Sequence, residues 1–309
     1  MAVPETMPIG LGEEGESLFE LLRAALEAGE GFELFFVCSV NRNMLREIQR
    51  RLELGVIPGI TPHVIGCAHP QELGHLLEDI LALPRPQEGR YALCVRSDGK
   101  EDEVLAAWTQ ALILLNEQRN RLIGSFPSAL VLMGPPALVI AAQNRAPDLW
   151  SVRSSVLVVP EVLPPVFGER YQASSAPWDN SVAAHELRDG EYYWDLAQAL
   201  EGNRRKAEQI SRANLLSRAA DAWSMRGDLD KAQGALEESE RVYRSQGDEN
   251  GAHRAVREIC RLHILRGDTT LALEILRNQV LPFFAASENE YECAEAFDLI
   301  ADILPAKPW

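Results

Sequence analysis

The chain has 309 residues, of which 46% are hydrophobic and 25% charged, and its formal net charge is −16. This composition is typical of folded domains rather than of a disordered chain, and the length is sufficient for two domains. The acidic balance disfavours non-specific attachment to nucleic acid or to anionic membranes, because both need a basic face.

The start of the chain carries no targeting signal. Residues 1–16 lack both the basic and the apolar region of a signal peptide, and no run of about 18 apolar residues occurs anywhere. We therefore expect a cytoplasmic protein with a mobile leader at residues 1–16. The cysteines are single and scattered, which favours small buried hydrophobic residues over disulfides or metal ligands; they are Cys38, Cys67, Cys94, Cys260 and Cys293.

Strand and helix patterns alternate five times between residues 17 and 160. Short apolar runs rich in aromatic and β-branched residues predict strands at 32–40, 61–67, 91–95, 128–133 and 154–159. Apolar residues at helical spacing predict helices at 17–29, 43–54, 70–83, 101–122 and 136–144. Such alternation indicates an α/β domain with a five-stranded, mainly parallel sheet flanked by helices on both faces.

A second, all-α domain is predicted from residue 207 to residue 309, after a linker and a bridging helix at 161–206. Gly227, Gly247 and Gly267 recur every 20 residues, each followed by an acidic residue, and a fixed period is typical of stacked repeats. Each interval holds a helix, and each glycine lies where a helix ends. The predicted helices are 189–201 in the bridge, then 210–225, 229–245, 251–265, 269–285 and 291–304.

The α/β domain lacks the sequence features of a catalytic or nucleotide-binding site. A P-loop requires G-x-x-x-x-G-K-[ST], whereas the loop after the first predicted strand reads CSVNRNML. The loop MGPPAL has two prolines, which cannot donate hydrogen bonds to a phosphate. A pair of Cys38 with His63, His69 or His75 would be a conceivable nucleophile and base, but we favour a buried Cys38. We predict no catalytic residue, no metal and no cofactor.

Two sequence motifs in this domain resemble those of a known class of proteins. The first is L-N-x-x-R-x-x-L, formed by Leu115, Asn116, Arg119 and Leu122, and the second is the A-P-D-L-W-S-x-R-S segment at residues 146–154. With the repeats behind them, they resemble bacterial tetratricopeptide-repeat signalling proteins that carry an N-terminal domain related to signal-transduction NTPases. Because the P-loop is missing, the resemblance implies a degenerate NTPase-like fold that is kept as a scaffold.

The second motif also has a purely structural interpretation. Trp150 would fill the space between the last helix and the final strand, Asp148 would cap a turn and Arg153 would pair with a surface carboxylate.

The helical repeats supply the candidate partner site. In tetratricopeptide repeats the first helix of each hairpin lines the groove, which assigns to it Asn214, Ser217, Asp221, Arg254, Arg257 and Arg261. The three arginines share one helical face, and they could clamp an acidic segment of a partner. Equally, they could neutralise acidic residues of neighbouring helices, such as Glu238 or Glu274.

We therefore expect a non-catalytic adaptor or regulatory protein that binds a protein partner in bacterial signalling or defence, and an acidic segment of that partner is the candidate ligand of the repeat groove. Membranes, nucleic acid and small-molecule ligands are not expected partners. The alternative is a nucleotide-sensing or hydrolytic enzyme whose site lies at the carboxyl ends of the strands, near Asn41, Arg42, Ser97, Asp98 and Gly134.

Overall fold

A computed structural model describes residues 10–84, 86, 88–159, 190–202 and 205–303. The chain divides into two compact units, Met1–Leu187 and Arg188–Trp309. The predicted linker between residues 161 and 189 lies outside the described residues, as do residues 1–9 of the predicted leader.

The first unit is built on one five-stranded sheet in which every neighbouring pair of strands is parallel. The strands follow the order β2-β3-β4-β1-β5 across the sheet. Helices on both faces bury the central strands β1 and β4, which is why they are almost continuously apolar. The strands are β1 (Glu33–Cys38), β2 (Ile60–Cys67), β3 (Arg90–Ser97), β4 (Ala129–Gly134) and β5 (Ser155–Val158).

The strand order places helices on both faces of the sheet, because connections between parallel strands are right-handed. Helices α1 and α2 cover one face, where Arg51 of α2 pairs with Glu16 of α1 at 2.5 Å. The remaining helices cover the other face, with α4 packed against α6. The helices are α1 (Gly12–Ala28), α2 (Arg42–Leu54), a 3₁₀ segment (Pro70–His75), α3 (Leu76–Ala82), α4 (Glu101–Glu117), α5 (Arg119–Ser125), α6 (Ala137–Arg145) and α7 (Pro147–Ser151). The predicted sheet with flanking helices is confirmed.

The first helix begins earlier than the sequence pattern predicts. Helix α1 starts at Gly12, and Leu11 just before it is fully buried. The Arg51 guanidinium donates to both oxygens of Glu16, and this bonding lowers the pKa of the Glu16 carboxyl. The prediction of a mobile leader up to residue 16 is therefore wrong for residues 10–16, because contacts distant in sequence hold them.

The second unit consists of helices joined by short turns, each packed on its neighbour in the chain. They are α8 (Gly190–Ala199), α9 (Lys206–Met225), α10 (Leu229–Ser245), α11 (Glu249–Arg266), α12 (Thr269–Ile275), a π-helical segment (Leu276–Val280), α13 (Leu281–Ala286) and α14 (Glu290–Ile303). An α/β part followed by a helical part is thus observed.

The 20-residue period marks the ends of helices. Gly227, Gly247 and Gly267 have φ values of 84°, 71° and 89°, in the left-handed region that glycine tolerates best. After each glycine the next backbone N–H donates back to a carbonyl five residues earlier, as from Asp228 to Trp223 at 2.9 Å. This is the hydrogen bond that closes the C-terminal end of a helix.

A fourth turn of the same kind follows α13, but it contains no glycine. Asn289 donates to the carbonyl of Phe284 at 3.0 Å, and Glu288 takes the left-handed position with φ of 55°. This position comes one residue later than the period predicts. The π-helical segment accounts for the delay, because a π turn accommodates one additional residue within a helix.

The predicted bridging helix belongs to the helical unit. Helix α8 packs on α9, with Trp194 and Trp223 at a ring-centroid separation of 5.7 Å. Gly190 lies so close to Trp223 that a Cβ at this position would be 2.5 Å from the indole nitrogen. In the described part of the chain, no helix has the length and apolar character needed to cross a membrane.

Candidate functional site

The loop after β1 uses its own side chains to satisfy the backbone donors that a P-loop would offer to a phosphate. Ser39 Oγ accepts from the N–H of Asn41 at 3.2 Å, and Asn41 Oδ1 accepts from the N–H of Asn43 at 2.9 Å. The N–H of Ser39 itself donates to the carbonyl of Gly134. Asn41 therefore caps α2, and the first turn of this helix does not have the geometry of a phosphate cradle.

The carboxyl edge of the sheet brings together most of the residues of the predicted alternative site. Asp98, just after β3, accepts hydrogen bonds from Arg46 at 3.0 Å and from Arg96. Arg42 donates to the carbonyl of Gly99 at 3.3 Å, and burial together with the charge of Arg46 lowers the pKa of Arg42. These arginines surround a single carboxylate, whereas a magnesium site needs several oxygen ligands.

The other two residues predicted for this edge are enclosed by protein. Ser97 is fully buried. At Gly134, a Cβ would lie 2.9 Å from Leu138 and 3.2 Å from the indole nitrogen of Trp108, so no space for a ligand remains above this residue. The residues Asn41, Arg42, Ser97, Asp98 and Gly134 are thus neighbours at one edge, but they act there as a cap, ion-pair partners and packing.

Cys38 is not suited to be a nucleophile. Its side chain is fully buried in the sheet, and burial raises the pKa of its thiol far above the usual range. The thiolate that a nucleophilic mechanism requires is therefore not formed at neutral pH. Cys67, Cys94 and Cys260 are also buried, as predicted, whereas Cys293 is only half-buried. Within the described residues, no group of three or more potential ligands could hold a metal ion.

The two sequence motifs on which the resemblance is based contact each other. Asn116 of the first motif accepts a hydrogen bond from the N–H of Leu149 in the second motif, at 2.8 Å. Trp150 packs against Phe36 of β1 with a centroid separation of 5.6 Å, and the Arg153 guanidinium lies 3.7 Å above the Trp150 ring. Trp150 is thus packed on the central strand β1, and Arg153 is stacked on its indole.

The predicted arginine stripe is largely neutralised by carboxylates. Arg257 is buried and pairs with Glu292 of α14 and with Glu258, the latter at 2.9 Å. Arg261 lies 3.0 Å from Glu258 and 3.8 Å from Glu295. Acidic residues therefore hold these arginines, as the alternative interpretation expected, although the partners are Glu258, Glu292 and Glu295 rather than Glu238 or Glu274. An open clamp for an acidic segment is not formed by Arg257 and Arg261. Arg254, also on α11, is half-buried.

Asn214 and Ser217 do not line an open groove. Asn214 is buried and accepts a hydrogen bond from the hydroxyl of Tyr243 in α10. Ser217 Oγ lies 2.9 Å from Ser239 Oγ, which is fully buried. Both residues stabilise the contact between α9 and α10, because a polar group buried between helices needs a bonding partner.

Of the two predicted site residues that are exposed to solvent, Arg261 and Asp221, Arg261 pairs with glutamates, whereas Asp221 forms no ion pair with another described residue. Its side chain is exposed to solvent, yet the surrounding protein and the charge of Glu258 raise its pKa to about 6. Arg218, Arg261 and Arg257 act on it only through longer-range attraction. We use the name charged face for the surface formed by Arg218, Asp221, Glu258, Arg261 and Glu295, together with the buried pair of Arg257 and Glu292 that contacts it.

A second feature of the helical unit was not predicted from the sequence. An open pocket of about 530 Å³ lies beside the turn between α13 and α14. We call it the terminal pocket; its lining residues are Phe284, Ala285, Glu288, Asn289, Glu290, Cys293, Ala294 and Phe297. The only sequence signal was the missing glycine in the fourth turn, where the 20-residue period breaks.

The comparisons with known proteins give little that bears on function. No family model and no curated protein matches the chain. Among solved structures it is similar to the Aeropyrum pernix ORC1 protein in complex with DNA, with 14% sequence identity and a TM-score of 0.32 over 99% of this chain and 82% of that chain. A similarity at this level does not assign an activity.

One expectation about partners is corrected at this point. The negative net charge led us to expect that nucleic acid is not a partner, but the similar solved structure is a complex with DNA. Net charge alone does not describe local surface potential. The expectation that excluded nucleic acid is contradicted.

Proposed function

We propose that the protein is a non-catalytic adaptor or regulatory protein and that the charged face of its helical unit binds a partner protein. The observation that carries the proposal is the state of Asp221. This carboxylate is exposed to solvent and forms no ion pair with another described residue, and desolvation by the surrounding protein together with the charge of Glu258 raises its pKa. Ionisable groups with such shifts are common at functional sites.

The chemistry of the charged face favours a basic residue of the partner. Arg257 and Arg261 already pair with glutamates of the face, whereas the ionised form of Asp221 lacks such a partner. A guanidinium from the partner would stabilise this ionised form through a bidentate, charge-assisted contact. Binding should consequently strengthen as the pH rises through 6, where the carboxyl of free Asp221 loses its proton.

Three features of the α/β unit support a role without catalysis. The backbone donors after β1 are occupied by Ser39 and Asn41, and the carboxylate of Asp98 is held by arginines. The buried thiol of Cys38 remains protonated at neutral pH. The resemblance of the sequence to bacterial tetratricopeptide-repeat signalling proteins supports signalling or defence as the setting of this adaptor.

The proposal can be tested with an array of peptides in which one central arginine is exchanged for alanine, measured at pH 5 and pH 7.5. We expect arginine-dependent binding that is stronger at pH 7.5 and is weakened at least about fivefold by Asp221→Asn. Asp195→Asn is the matched control, because Asp195 is an exposed carboxylate of α8. Equal binding at both pH values, or equal effects of the two substitutions, would contradict the proposal.

Calorimetry separates the adaptor from the enzyme with a site at the carboxyl edge of the sheet. An adaptor gives no binding heat and no turnover with ATP or GTP. Measurable hydrolysis that is lost in Asp98→Asn would favour the alternative, because Asp98 is the carboxylate at that edge.

A further inference from the structure

The terminal pocket combines an apolar wall with an acidic rim. Phe284 is fully buried at its base, while Phe297 is 58% exposed and stands beside Ala294. Two of its lining residues, Glu288 and Glu290, are acidic, and among the described residues that line it none is basic. An exposed aromatic side chain in a pocket of this kind is typical of a surface that binds an apolar anchor residue.

The helix beside the pocket extends the acidic character. Helix α14 carries five acidic residues and no lysine or arginine; they are Glu290, Glu292, Glu295, Asp298 and Asp302. Glu292 and Glu295 pair with arginines of α11 and are therefore compensated. Asp298 and Asp302 are exposed and form no ion pair with another described residue, so the outer side of α14 presents negative charge next to Phe297.

One departure from regular backbone geometry lies in the lining of this pocket, and a second lies in the helix that leads to it. Glu288 occupies the left-handed region with φ of 55°, which costs a residue with a Cβ roughly 1–2 kcal/mol. The π-helical segment at Leu276–Val280 shifts the phase of the helix that leads to Phe284. Strained residues and π turns concentrate at functional sites, because the fold retains them only where their position is useful.

We infer that the terminal pocket is a second docking site, and that it binds a short segment of a partner protein in which a large apolar side chain is flanked by lysine or arginine. The apolar side chain lies against Phe297 and Ala294, and the flanking cations face Glu288 and Glu290. Charge complementarity selects this occupant, since the lining and the outer side of α14 are acidic. The site does not depend on Asp221.

The probe is a peptide array in which the central residue is tryptophan, leucine or serine and the flanks are lysine or glutamate. We expect the lysine-flanked tryptophan and leucine peptides to bind at least about fivefold more strongly than their glutamate-flanked or serine-centred counterparts. Phe297→Ser should weaken this binding about tenfold or more, as loss of a central anchor does. Met225→Ser is the control, because Met225 is equally apolar and 80% exposed, at the end of α9.

Substitutions at Glu288 separate charge from strain. Glu288→Gly removes the charge and relieves the backbone, so the protein should become more stable while its affinity for the lysine-flanked peptides falls about threefold or more. Glu288→Ala removes the charge alone and should weaken binding to the same degree. A purely structural role for this turn would give no loss of binding in the more stable variant.

Cys293 reports directly on occupancy, because it lines the pocket and is the described cysteine that is not buried. Saturating lysine-flanked peptide should slow its alkylation by a maleimide at least about threefold, an effect expected when a bound peptide covers a thiol.

Three results would overturn the inference. The first is equal binding of lysine- and glutamate-flanked peptides, and the second is an unchanged affinity in Phe297→Ser. The third is the demonstration of another occupant. Sedimentation that shows a dimer abolished by Phe297→Ser would identify a second copy of the chain, and peptide binding only after removal of residues 304–309 would identify that segment.

Discussion

Glu288 occupies a backbone position that the three preceding turns of the helical unit give to glycine. Gly227, Gly247 and Gly267 end their helices with positive φ at little cost, whereas the side chain of Glu288 is strained there. The fourth turn therefore differs from the other three in its backbone strain, although it has the same closing hydrogen bond, from Asn289 to Phe284.

We predict that Glu288→Gly raises the free energy of unfolding by about 1 kcal/mol, because relief of the left-handed strain exceeds the entropic cost of an added glycine. Denaturant unfolding should show a higher midpoint with an unchanged slope. Glu288→Ala is the control and should bring no such gain, since alanine meets the same restriction on φ. A midpoint that is equal in both variants would show that this backbone position is not strained.

Asp221 makes the stability of the helical unit depend on pH. Desolvation and the charge of Glu258 raise the pKa of its carboxyl from the ordinary value to about 6 on folding, so the folded state binds a proton more tightly than the unfolded state. The contribution of this group to stability therefore falls as the pH increases from about 4 to about 6 and stays low above that range.

We predict that Asp221→Asn removes this decline and stabilises the protein above pH 6. The gain should not exceed about 1 kcal/mol, because solvent reaches this carboxylate and screens it. Free energies of unfolding measured for both proteins between pH 4 and pH 8 test the effect. Parallel curves would exclude a special role for Asp221.

At the scale of whole elements, strands and long helices are predictable from the sequence, whereas departures from regular helices are not. The apolar runs of β1 and β4 and the glycine period identify most elements, since these patterns are local. The predicted helix at 269–285 contains a π-helical segment that the sequence does not indicate, because apolar residues at intervals of four are also compatible with an α-helix. In a regular α-helix, each of these apolar residues would be rotated by about 40° about the helix axis relative to the one before it.

The π-helical segment corrects that rotation, so its extra residue should be dispensable. Deletion of Asn278, which is exposed, leaves Ala272, Leu276, Val280 and Phe284 at the intervals four, three and four that suit a regular α-helix. We predict that this deletion costs less than about 1 kcal/mol of stability. Deletion of the exposed Arg241 in α10 is the control and should cost about 3 kcal/mol or more, because it turns buried residues out of the core.

The two deletions can be compared by thermal unfolding followed by circular dichroism. Similar losses of stability in both would show that the segment does not act as an insertion. Such a result would also contradict the explanation for why Glu288 comes one residue later than the 20-residue period predicts.

At the scale of the whole molecule, the two-part architecture is predictable but the site is only partly so. The sequence places Asp221 on an accessible face, because this requires only the repeat pattern and helical spacing. It fails to identify the partner of Arg257, which is Glu292 on α14, and it fails for Asn214, whose partner Tyr243 lies on α10. Both failures arise from contacts between helices, which no local pattern encodes.

The boundary of the helical unit provides the last prediction. Helix α8 buries Leu196 and Ala197 and places Trp194 against Trp223, so it forms part of the helical core rather than a linker. We predict that a fragment of residues 188–309 unfolds cooperatively by itself. A fragment of residues 206–309 should be less stable by about 2–4 kcal/mol, because it exposes the apolar surface that α8 covers on α9. Denaturant unfolding of the two fragments measures this difference, and equal stabilities would return α8 to the role of a connecting segment.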